Sequence, residues 1–471
     1  MDRLDGSNLI AAIGGTALCL PVSTYAVSRI SIDTRTLQPG DLFWAIRGET
    51  FDGHDFVDRA FQQGASACVI RRDRAAVCSG PAILVDDTQT ALRDLARWHR
   101  RRQDALVIGV TGSFGKTTSR EMIYAALAAE YTGMRSARNL NNHIGLPLSL
   151  LDIQSHHEFA VLEMGASHIG EIVDLTQIAV PEVGVITGIG PAHLAGFGNL
   201  DGIIRSKGEL LESLPPTGFA VLPGDDSYVR QMADRAKCPV IFVGAGPDND
   251  LCAEDVAWSP SGLTFRVENT KVQIPVLGRH FLAPALFAVA VGREIGMKLD
   301  VLAEGLRTFQ PISGRCQPQR IGTWTVIHDA YNANPQSMTA ACRLLAEWPG
   351  SNRRLLILGD MLELGAESPR YHEELGQEAA RAGIDRLIVC GEFSRDVIRG
   401  ALAAGMSPHR ISSADDWNVT LAILDCWLEP EDVLLIKGSR GMQMERVIDW
   451  LNVKNDGEPL DKPLCQRRKS A

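Results

Sequence analysis

A short apolar strand runs into a glycine-bearing loop and then into a helix between Ala105 and Glu130, and this unit indicates an α/β fold. Val and Ile fill the predicted strand, the loop reads TGSFGKTT from Thr111 to Thr118, and apolar residues then recur at helical spacing. The backbone N–H groups of such a loop and the positive helix N-terminus bind phosphate oxygens. The strict P-loop pattern needs a glycine where this chain has Val110, so the loop has the shorter G-x-x-G-K-T-T form.

The loop predicts a phosphate site with a metal ion. In loops of this kind the lysine, here Lys116, reaches the β- and γ-phosphates, and the hydroxyl of Thr117 is suited to Mg²⁺. A glycine-rich turn that merely precedes Lys-Thr is the alternative, but the strand before it and the helix after it favour phosphate binding. The residues expected at the phosphates are Gly112, Ser113, Gly115, Lys116, Thr117 and Thr118.

Length and composition describe an ordinary globular protein of several domains. The chain has 471 residues, of which 45% are hydrophobic and 22% charged, so two to four domains are expected. A net charge of −10 argues against a nucleic-acid backbone or an anionic membrane as the main partner. The ten cysteines show no CxxC or metal-ligand spacing, which predicts reduced thiols in the cytoplasm.

The apolar stretch from Leu9 to Leu20 could pass for the core of a signal peptide. Its flank has no positive excess, however, and Gly14 and Gly15 interrupt it, so a first helix ending at these glycines is the preferred interpretation. No apolar stretch reaches the roughly 20 residues that a membrane span requires. We therefore expect no membrane insertion.

Alternating strand and helix patterns predict three α/β domains. Residues 1–103 form a small α/β unit, and residues 104–314 repeat apolar strands and helices as in a mainly parallel sheet covered on both faces. Residues 315–455 repeat the alternation on a smaller scale, as in a Rossmann-like open sheet. Residues 456–471 are polar and aperiodic, which indicates a disordered tail.

Polar side chains follow the predicted strands of the central domain, where parallel sheets gather their ligands. The second strand ends on Glu163, whose carboxylate can hold Mg²⁺ opposite Thr117. His193 follows the third strand, and Lys207 lies further along the chain. Taken alone, this histidine is more often a satisfied core or surface residue, and the lysine is usually solvated or ion-paired. Their position downstream of the loop and of Glu163 is what suggests a function.

Other polar stretches allow either a binding or a structural interpretation. Asp and Gly form turns as readily as they hold ligands, and amide side chains suit both a polar substrate and a plain loop. Asn334 before Pro335 fits a helix N-cap, so a structural reason for this asparagine exists. The ambiguous stretches are Asp33-Thr34-Arg35, Asp52-Gly53-His54 and the amide-rich residues 138–145.

These stretches together closely resemble the ATP-dependent Mur ligases of peptidoglycan synthesis, in the right order and over nearly the whole chain. The shared motifs are the loop Thr111–Thr118, N-x-N-N-x-x-G at Asn139–Gly145, E-x-G at Glu163–Gly165, His193, and K-G-E at Lys207–Glu209. Three motifs of the last segment look like the branch of the family that adds D-alanyl-D-alanine. They are D-x-Y-N-A-N-P-x-S-M (Asp329–Met338), G-D-M-x-E-L-G (Gly359–Gly365) and K-G-S-R-x-x-x-M-E (Lys437–Glu445).

The resemblance implies a ligase that uses ATP and Mg²⁺, and we expect it to be a cytoplasmic monomer. In that reaction ATP phosphorylates the C-terminal carboxylate of UDP-N-acetylmuramoyl-tripeptide, and the amine of D-alanyl-D-alanine attacks the acyl phosphate to give the pentapeptide. Lys116 and Mg²⁺ would offset charge between the carboxylate and the γ-phosphate. The lysine matching Lys207 is carbamylated in related ligases, which here would let Lys207 hold a second Mg²⁺ alongside His193.

The same resemblance implies roles for residues in all three domains. It also implies that the third domain closes onto the second during catalysis, because ATP would bridge them. Arg315 and Asp329 would contact ATP. The residues expected at the substrates are Asp33, Thr34 and Arg35 at the UDP-sugar, Asn139 and Asn142 in the amide-rich motif, and Asn332, Asn334 and Lys437 near the dipeptide.

One motif departs from the family pattern. The family usually has G-x-H-N-x-x-N-A-L, whose second Asn reads the adenine, whereas this chain has Phe281 and Pro284 at the two Asn positions. Neither side chain can form a hydrogen bond, so adenine recognition must come from backbone, stacking or elsewhere. We therefore expect weaker discrimination of ATP from GTP than the family norm.

Two alternatives to this function stay open. A sister ligase that adds a single amino acid is disfavoured by the sequence from Asn332 to Pro335. A nucleotide-binding regulatory or scaffold protein that has lost catalysis is kept open by Phe281 and Pro284. Retention of the five motif residues argues against the scaffold; these are Lys116, Thr117, Glu163, His193 and Lys207.

Overall fold

The computed structural model describes residues 1–48, 50–137, 140–350, 352–414 and 416–456. Three α/β units follow one another along the chain, each built on its own sheet, which confirms the predicted fold class. Asn139 and residues 457–471, which make up nearly all of the predicted tail, lie outside the described residues. The domain limits at 103 and 314 stay predictions.

The first unit surrounds a five-stranded sheet. Its elements are β1 (Leu4–Asp5), α1 (Gly6–Ile13), β2 (Thr16–Leu18), β3 (Ala26–Val27), β4 (Ile30–Ser31), β5 (Leu42–Trp44), α2 (Val57–Gln62), β6 (Ala67–Arg71), β7 (Ala82–Val85) and α3 (Thr88–Arg100). The strand order is β2-β7-β6-β5-β4, with only β2 antiparallel to its neighbour, and β1 pairs with β3 in a separate ribbon. Helix α1 ends at Gly14, whose φ of 60° suits glycine, as the sequence predicted.

The central unit contains a seven-stranded, wholly parallel sheet in the order β14-β13-β12-β11-β8-β10-β9. Helices cover both faces, so its inner strands are continuous apolar runs. Its strands are β8 (Leu106–Thr111), β9 (Gly133–Arg135), β10 (Phe159–Glu163), β11 (Val183–Ile186), β12 (Phe219–Pro223), β13 (Val240–Gly244) and β14 (Leu251–Cys252). Its helices are α4 (Lys116–Leu127), α5 (Gly145–Leu151), α6 (Glu171–Ala179), α7 (Leu194–Phe197), α8 (Leu200–Ser213), α9 (Ser227–Arg230), α10 (Leu282–Glu294) and α11 (Leu299–Arg307).

A small antiparallel sheet, which the sequence analysis did not predict, follows the central sheet. Its strands are β15 (Glu254–Ser259), β16 (Gly262–Val267) and β17 (Thr270–Ile274). Leu263, Phe265 and Val272 are buried in the same apolar core as helix α10. The outward residues between them are polar, so the apolar signal of these strands is weak.

The third unit has a six-stranded sheet in the order β18-β19-β23-β20-β21-β22, in which only the edge strand β18 is antiparallel. Its strands are β18 (Gln317–Ile321), β19 (Trp324–Asp329), β20 (Arg354–Gly359), β21 (Arg386–Cys390), β22 (Ile411–Ala414) and β23 (Val433–Lys437). Its helices are α12 (Pro335–Ala346), α13 (Ser368–Arg381), α14 (Ser394–Ala403), α15 (Trp417–Trp427) and α16 (Glu445–Asn455).

The carboxyl ends of strands in the second and third units lie on the two sides of one cleft. An Arg315 Nη2 atom donates to Thr117 Oγ1 at 2.9 Å, and His193 Nδ1 lies 2.6 Å from Glu363 Oε2. These two contacts join the units beside the phosphate loop.

Among the described residues, no helix is both long enough and apolar enough to span a bilayer.

Candidate active site

The phosphate loop lies between β8 and α4, and its glycines are required by the backbone. Gly112 has a φ of 146°, and a Cβ there would lie 2.2 Å from Thr187 Oγ1. Gly115 has a φ of 77° and begins helix α4. Both conformations disfavour a residue with a side chain. Ser113 donates its N–H to Gly188 O at 2.9 Å, which ties the loop to the end of strand β11.

Lys116 curls back over the loop. Its Nζ donates to Gly112 O at 2.7 Å. Removal from bulk water is the main cause that lowers the pKa of Lys116, and Arg315 adds to the effect while Glu163 opposes it. Phosphate oxygens at the loop would give this ammonium group a negative partner within hydrogen-bond distance.

Glu163, at the end of β10, is only 4% exposed, and three side chains donate hydrogen bonds to its carboxylate. Its Oε2 accepts hydrogen bonds from Thr117 Oγ1 at 2.9 Å and from Arg120 Nη1 at 3.4 Å. Its Oε1 accepts from Asn141 Nδ2 at 2.9 Å. A carboxylate and a hydroxyl oxygen therefore lie side by side at the phosphate loop.

This pair of oxygens fits Mg²⁺, which binds oxygen ligands and usually keeps only one or two carboxylates together with phosphates and water. Within the described ranges, no group of three or more His, Cys, Asp and Glu side chains is arranged to hold a metal ion by itself. A magnesium ion here would thus depend on nucleotide phosphates for the rest of its ligands. Thr117 and Glu163 are the residues that would hold it.

The pKa values of His193 and Lys207 are both lowered. His193 precedes α7 with a φ of 52°, and burial, Lys116 and Lys207 lower its pKa against the opposing effect of Glu363. Lys207 Nζ donates to Ala166 O at 3.1 Å. Burial and, to a smaller extent, Lys116 lower the pKa of Lys207 to about 7.

On the third-unit side of the cleft, a buried ion pair holds the ends of β19 and β23 together. Lys437 Nζ lies 2.6 Å from Asp329 Oδ2 and donates to Asn332 O at 3.1 Å. The other carboxylate oxygen of Asp329 accepts from Cys316 N at 3.1 Å. Arg315 extends from the adjacent loop, with its guanidinium carbon 4.2 Å from the centre of the Tyr331 ring. The third-unit side of the cleft therefore carries two cations and one carboxylate.

Residues of both units line one cavity of about 440 Å³. Asn334 lines it and also caps α12, since its Oδ1 accepts from Ser337 N at 2.9 Å, as the sequence predicted. The predicted site residues that line the cavity are Ser113, Gly115, Lys116, Thr117, Thr118, Glu163, His193, Arg315, Asp329, Asn332, Asn334 and Lys437.

Some predicted residues lie elsewhere. Arg35 and Asp33 pair with each other through a 2.7 Å contact in the first unit, and this hydrogen bond lowers the pKa of Asp33. Thr34, between them, is buried. Asn142 accepts from Ile144 N and from Gly145 N at the start of α5. Asn139 lies outside the described residues, and the binding roles of all these residues stay predictions.

Sequence reasoning missed two side chains that hold Glu163. Asn141 stands in the amide-rich motif, but sequence alone did not indicate which asparagine faces the loop. Arg120 is 2% exposed and pairs with Glu121 at 2.6 Å as well as with Glu163. The available signal was an arginine just before the buried apolar residues Met122 and Ile123 of α4.

Family models match three stretches of the chain. They are the Mur ligase family catalytic domain at residues 26–100, the Mur ligase middle domain at residues 110–292, and the glutamate ligase domain of Mur ligases at residues 314–440. The chain therefore belongs to the Mur ligase family.

Individual relatives are similar over almost the whole length. The UDP-N-acetylmuramoyl-tripeptide--D-alanyl-D-alanine ligase of Escherichia coli strain K12 is 36% identical over 428 residues, 89% of this chain and 92% of that protein. A crystal structure of MurF from Acinetobacter baumannii has a TM-score of 0.88 and 30% identity, covering 96% of this chain and 99% of that one. MurF ligase from Thermotoga maritima, in complex with ADP, has a TM-score of 0.78 and 28% identity, covering 91% and 98% of the two chains.

Proposed function

We propose that this protein is an ATP-dependent ligase that joins D-alanyl-D-alanine to UDP-N-acetylmuramoyl-tripeptide and so forms the pentapeptide precursor of peptidoglycan. The observation that carries the proposal is the shared cavity, in which a phosphate loop and Glu163 face the Lys437–Asp329 pair of the third unit. The names of the full-length relatives support the same reaction, and the ADP complex of one of them supports the nucleotide. We propose the cytoplasm as its compartment, because every cysteine among the described residues is a free thiol.

The reaction needs positioning and charge neutralisation more than covalent help from the protein. ATP would place its β- and γ-phosphates on the loop, where Lys116 would leave Gly112 O and turn to the phosphate oxygens. Arg315, which now donates to Thr117, would supply positive charge from the opposite side of the cleft. These two cations would stabilise the charge that moves from the γ-phosphate toward the tripeptide carboxylate.

The metal proposal follows from the oxygen pair at the loop. Thr117 and Glu163 would hold Mg²⁺, which when bound would neutralise phosphate charge and align the γ-phosphate for transfer. Arg120 and Asn141 would keep the Glu163 carboxylate turned toward this position.

Lys207 and His193 are proposed as a second metal-holding pair. A neutral amine is required to add CO₂, and a pKa of about 7 keeps much of Lys207 neutral at physiological pH. The resulting carbamate would carry oxygen ligands of the kind that Mg²⁺ prefers.

The dipeptide would occupy the part of the cavity that the nucleotide leaves free, and the UDP-sugar would bind outside this cavity. Asn332, Asn334 and Lys437 would bind the dipeptide from the third unit, with its amine directed at the acyl phosphate. Asp33, Thr34 and Arg35 would bind the UDP-sugar on the first unit, and Asn139 and Asn142 would contact substrate from the second. A monomer stays the predicted oligomeric state.

The test is phosphate release from ATP by the full chain with UDP-muramoyl-tripeptide, comparing D-alanyl-D-alanine with single amino acids. We expect release to depend on the dipeptide and to fall by about 10²-fold or more in Lys116→Met, because a charge-stabilising group is lost. Release with a single amino acid only would favour the sister ligase. If no amine supports release while ADP still binds, the scaffold interpretation is right.

A further inference from the structure

The two family asparagines that are absent from this chain leave an apolar wall in the nucleotide cavity. Phe281 and Pro284, at the start of α10, line the cavity together with Ala340 of α12. An apolar wall suits the flat face of a purine, but it cannot distinguish hydrogen-bond donors from acceptors on the edge of the base. A polar group close to this wall would therefore decide which base is accepted.

Gln336 is such a group. It lies one helical turn before Ala340 on the same face of α12 and lines the same cavity. Its amide packs flat against Gly190 of the central unit, where a Cβ would lie 2.2 Å from Gln336 Nε2. Gly190 in turn donates its N–H to Ser113 Oγ of the phosphate loop. The third unit thus extends an amide across the cleft to the nucleotide side.

The amide has no hydrogen-bond partner among the described residues. Gln336 Oε1 is buried without a donor, and no described side chain or backbone group pairs with Nε2. A buried unpaired amide oxygen is costly and rare in native proteins. A ligand that brings one donor and one acceptor side by side would remove this cost.

We propose that Gln336 reads the N6/N7 edge of the adenine, in place of the two missing asparagines. Gln pairs in a bidentate manner with the adenine N6 amino group and N7, giving one bond as acceptor and one as donor. Guanine and hypoxanthine present two acceptors, O6 and N7, at the same edge, and a single amide cannot satisfy both. Since Gln336 belongs to the third unit, this selection would operate only when the cleft is closed.

This inference rests on the proposed use of ATP and changes one expectation from the sequence. The absence of amides at 281 and 284 predicted weak base discrimination. With Gln336 at the base, we expect ADP to be preferred over IDP by about fivefold or more, which is the lower range for one bidentate base contact.

The experiment measures ADP and IDP binding to the full chain by titration calorimetry, because these nucleotides differ in the N6/O6 edge and need no turnover. In Gln336→Met, which keeps the length but removes the amide, we expect ADP affinity to fall until the ADP to IDP ratio is close to one. Gly190→Ala should lower the ratio in the same direction, because a methyl group there would displace the amide. Thr339→Ala is the matched control, since Thr339 lies on the same helix but lines two neighbouring cavities and not the nucleotide cavity.

Each outcome has a defined meaning. A preference for ADP in the wild type that is lost in Gln336→Met and kept in Thr339→Ala supports the assignment. Equal binding of ADP and IDP by the wild type, or an unchanged ratio in Gln336→Met, overturns it while leaving the ligase proposal intact. If the wild type binds neither nucleotide, the proposed function itself fails.

Discussion

Lys207 offers a direct test of the electrostatics of the site. Its pKa is lowered from 10.5 to about 7, mainly by burial. At pH 7.5 a lysine of ordinary pKa is neutral in about one molecule in a thousand, whereas a pKa near 7 makes about three quarters of the molecules neutral. Burial therefore raises the reactive amine population several hundredfold. In the proposed modification this amine attacks CO₂, a C–N bond forms, and one proton is released as the carbamate appears.

We expect a carbamate signal in ¹³C NMR when the protein is equilibrated with ¹³C-labelled bicarbonate. Between pH 6 and pH 8 the neutral fraction of Lys207 rises about tenfold, and the proton released with the carbamate favours the product further at high pH, so the labelled fraction at a fixed CO₂ concentration should rise by at least about tenfold until the site saturates. The direction is upward with pH, because only the deprotonated amine reacts. Mg²⁺ should increase the signal further if the carbamate is a metal ligand.

Two variants give the assignment its control. Lys207→Met should remove one carbamate resonance, and Lys271→Met, which removes an exposed lysine, should leave that resonance unchanged. The reasoning is refuted if no carbamate is seen at pH 8, or if every carbamate resonance of the wild type persists in Lys207→Met. A signal equal at pH 6 and pH 8 would contradict the requirement for the deprotonated amine.

Three further predictions address the two sides of the cleft. Glu163→Gln removes a negative charge at constant size and should weaken Mg²⁺-dependent ADP binding by at least about tenfold, because even the loss of an outer-sphere metal partner costs that much. Calorimetry with and without EDTA measures this change. Asp329→Asn leaves the Lys437 ammonium buried without its anion and should lower the free energy of unfolding by about 3–5 kcal/mol in urea denaturation; a loss below 1 kcal/mol would contradict this. Glu363→Ala removes the contact with His193 and should shift the small-angle scattering profile of the nucleotide-free protein toward a more open form.

The phosphate loop was predictable because its information is local. Eight consecutive residues specify the turn, and the apolar runs on either side specify the strand and helix. The end of α1 at Gly14 and the cap of α12 by Asn334 followed from the same kind of short-range rule. The parallel central sheet followed from the repeated alternation of apolar strands and helices.

The supports of the site were not predictable, because they join residues distant in sequence. Asn141 and Arg120 reach Glu163 across 22 and 43 positions, and nothing in the amide-rich stretch indicates which asparagine turns inward. The low pKa of Lys207 depends on its burial beneath other elements, which spacing cannot give. The pairing of His193 with Glu363 further required the relative position of two units.

The ion pair between His193 and Glu363 contributes to closing the cleft. Side-chain exposures of 39% for His193 and 63% for Glu363 make this a surface ion pair, and such pairs contribute about 0–1 kcal/mol. The bond from Arg315 to Thr117 is the other side-chain contact at the loop, and it engages groups that ATP and Mg²⁺ would claim. Trp258 Nε1 also donates to Glu347 Oε2 at 2.6 Å, and apolar residues of both units share one buried core, so the two polar contacts beside the loop are a small part of what holds the units together. A nucleotide that bridges the units would add to the closing energy. Loss of the γ-phosphate after transfer would remove part of that bridge, so reopening and product release should follow from the chemistry itself. Glu367→Ala is the control for Glu363→Ala, because Glu367 forms an exposed ion pair with Arg370 inside the third unit. It should leave the scattering profile unchanged, which separates the loss of a closing contact from a general loss of charge.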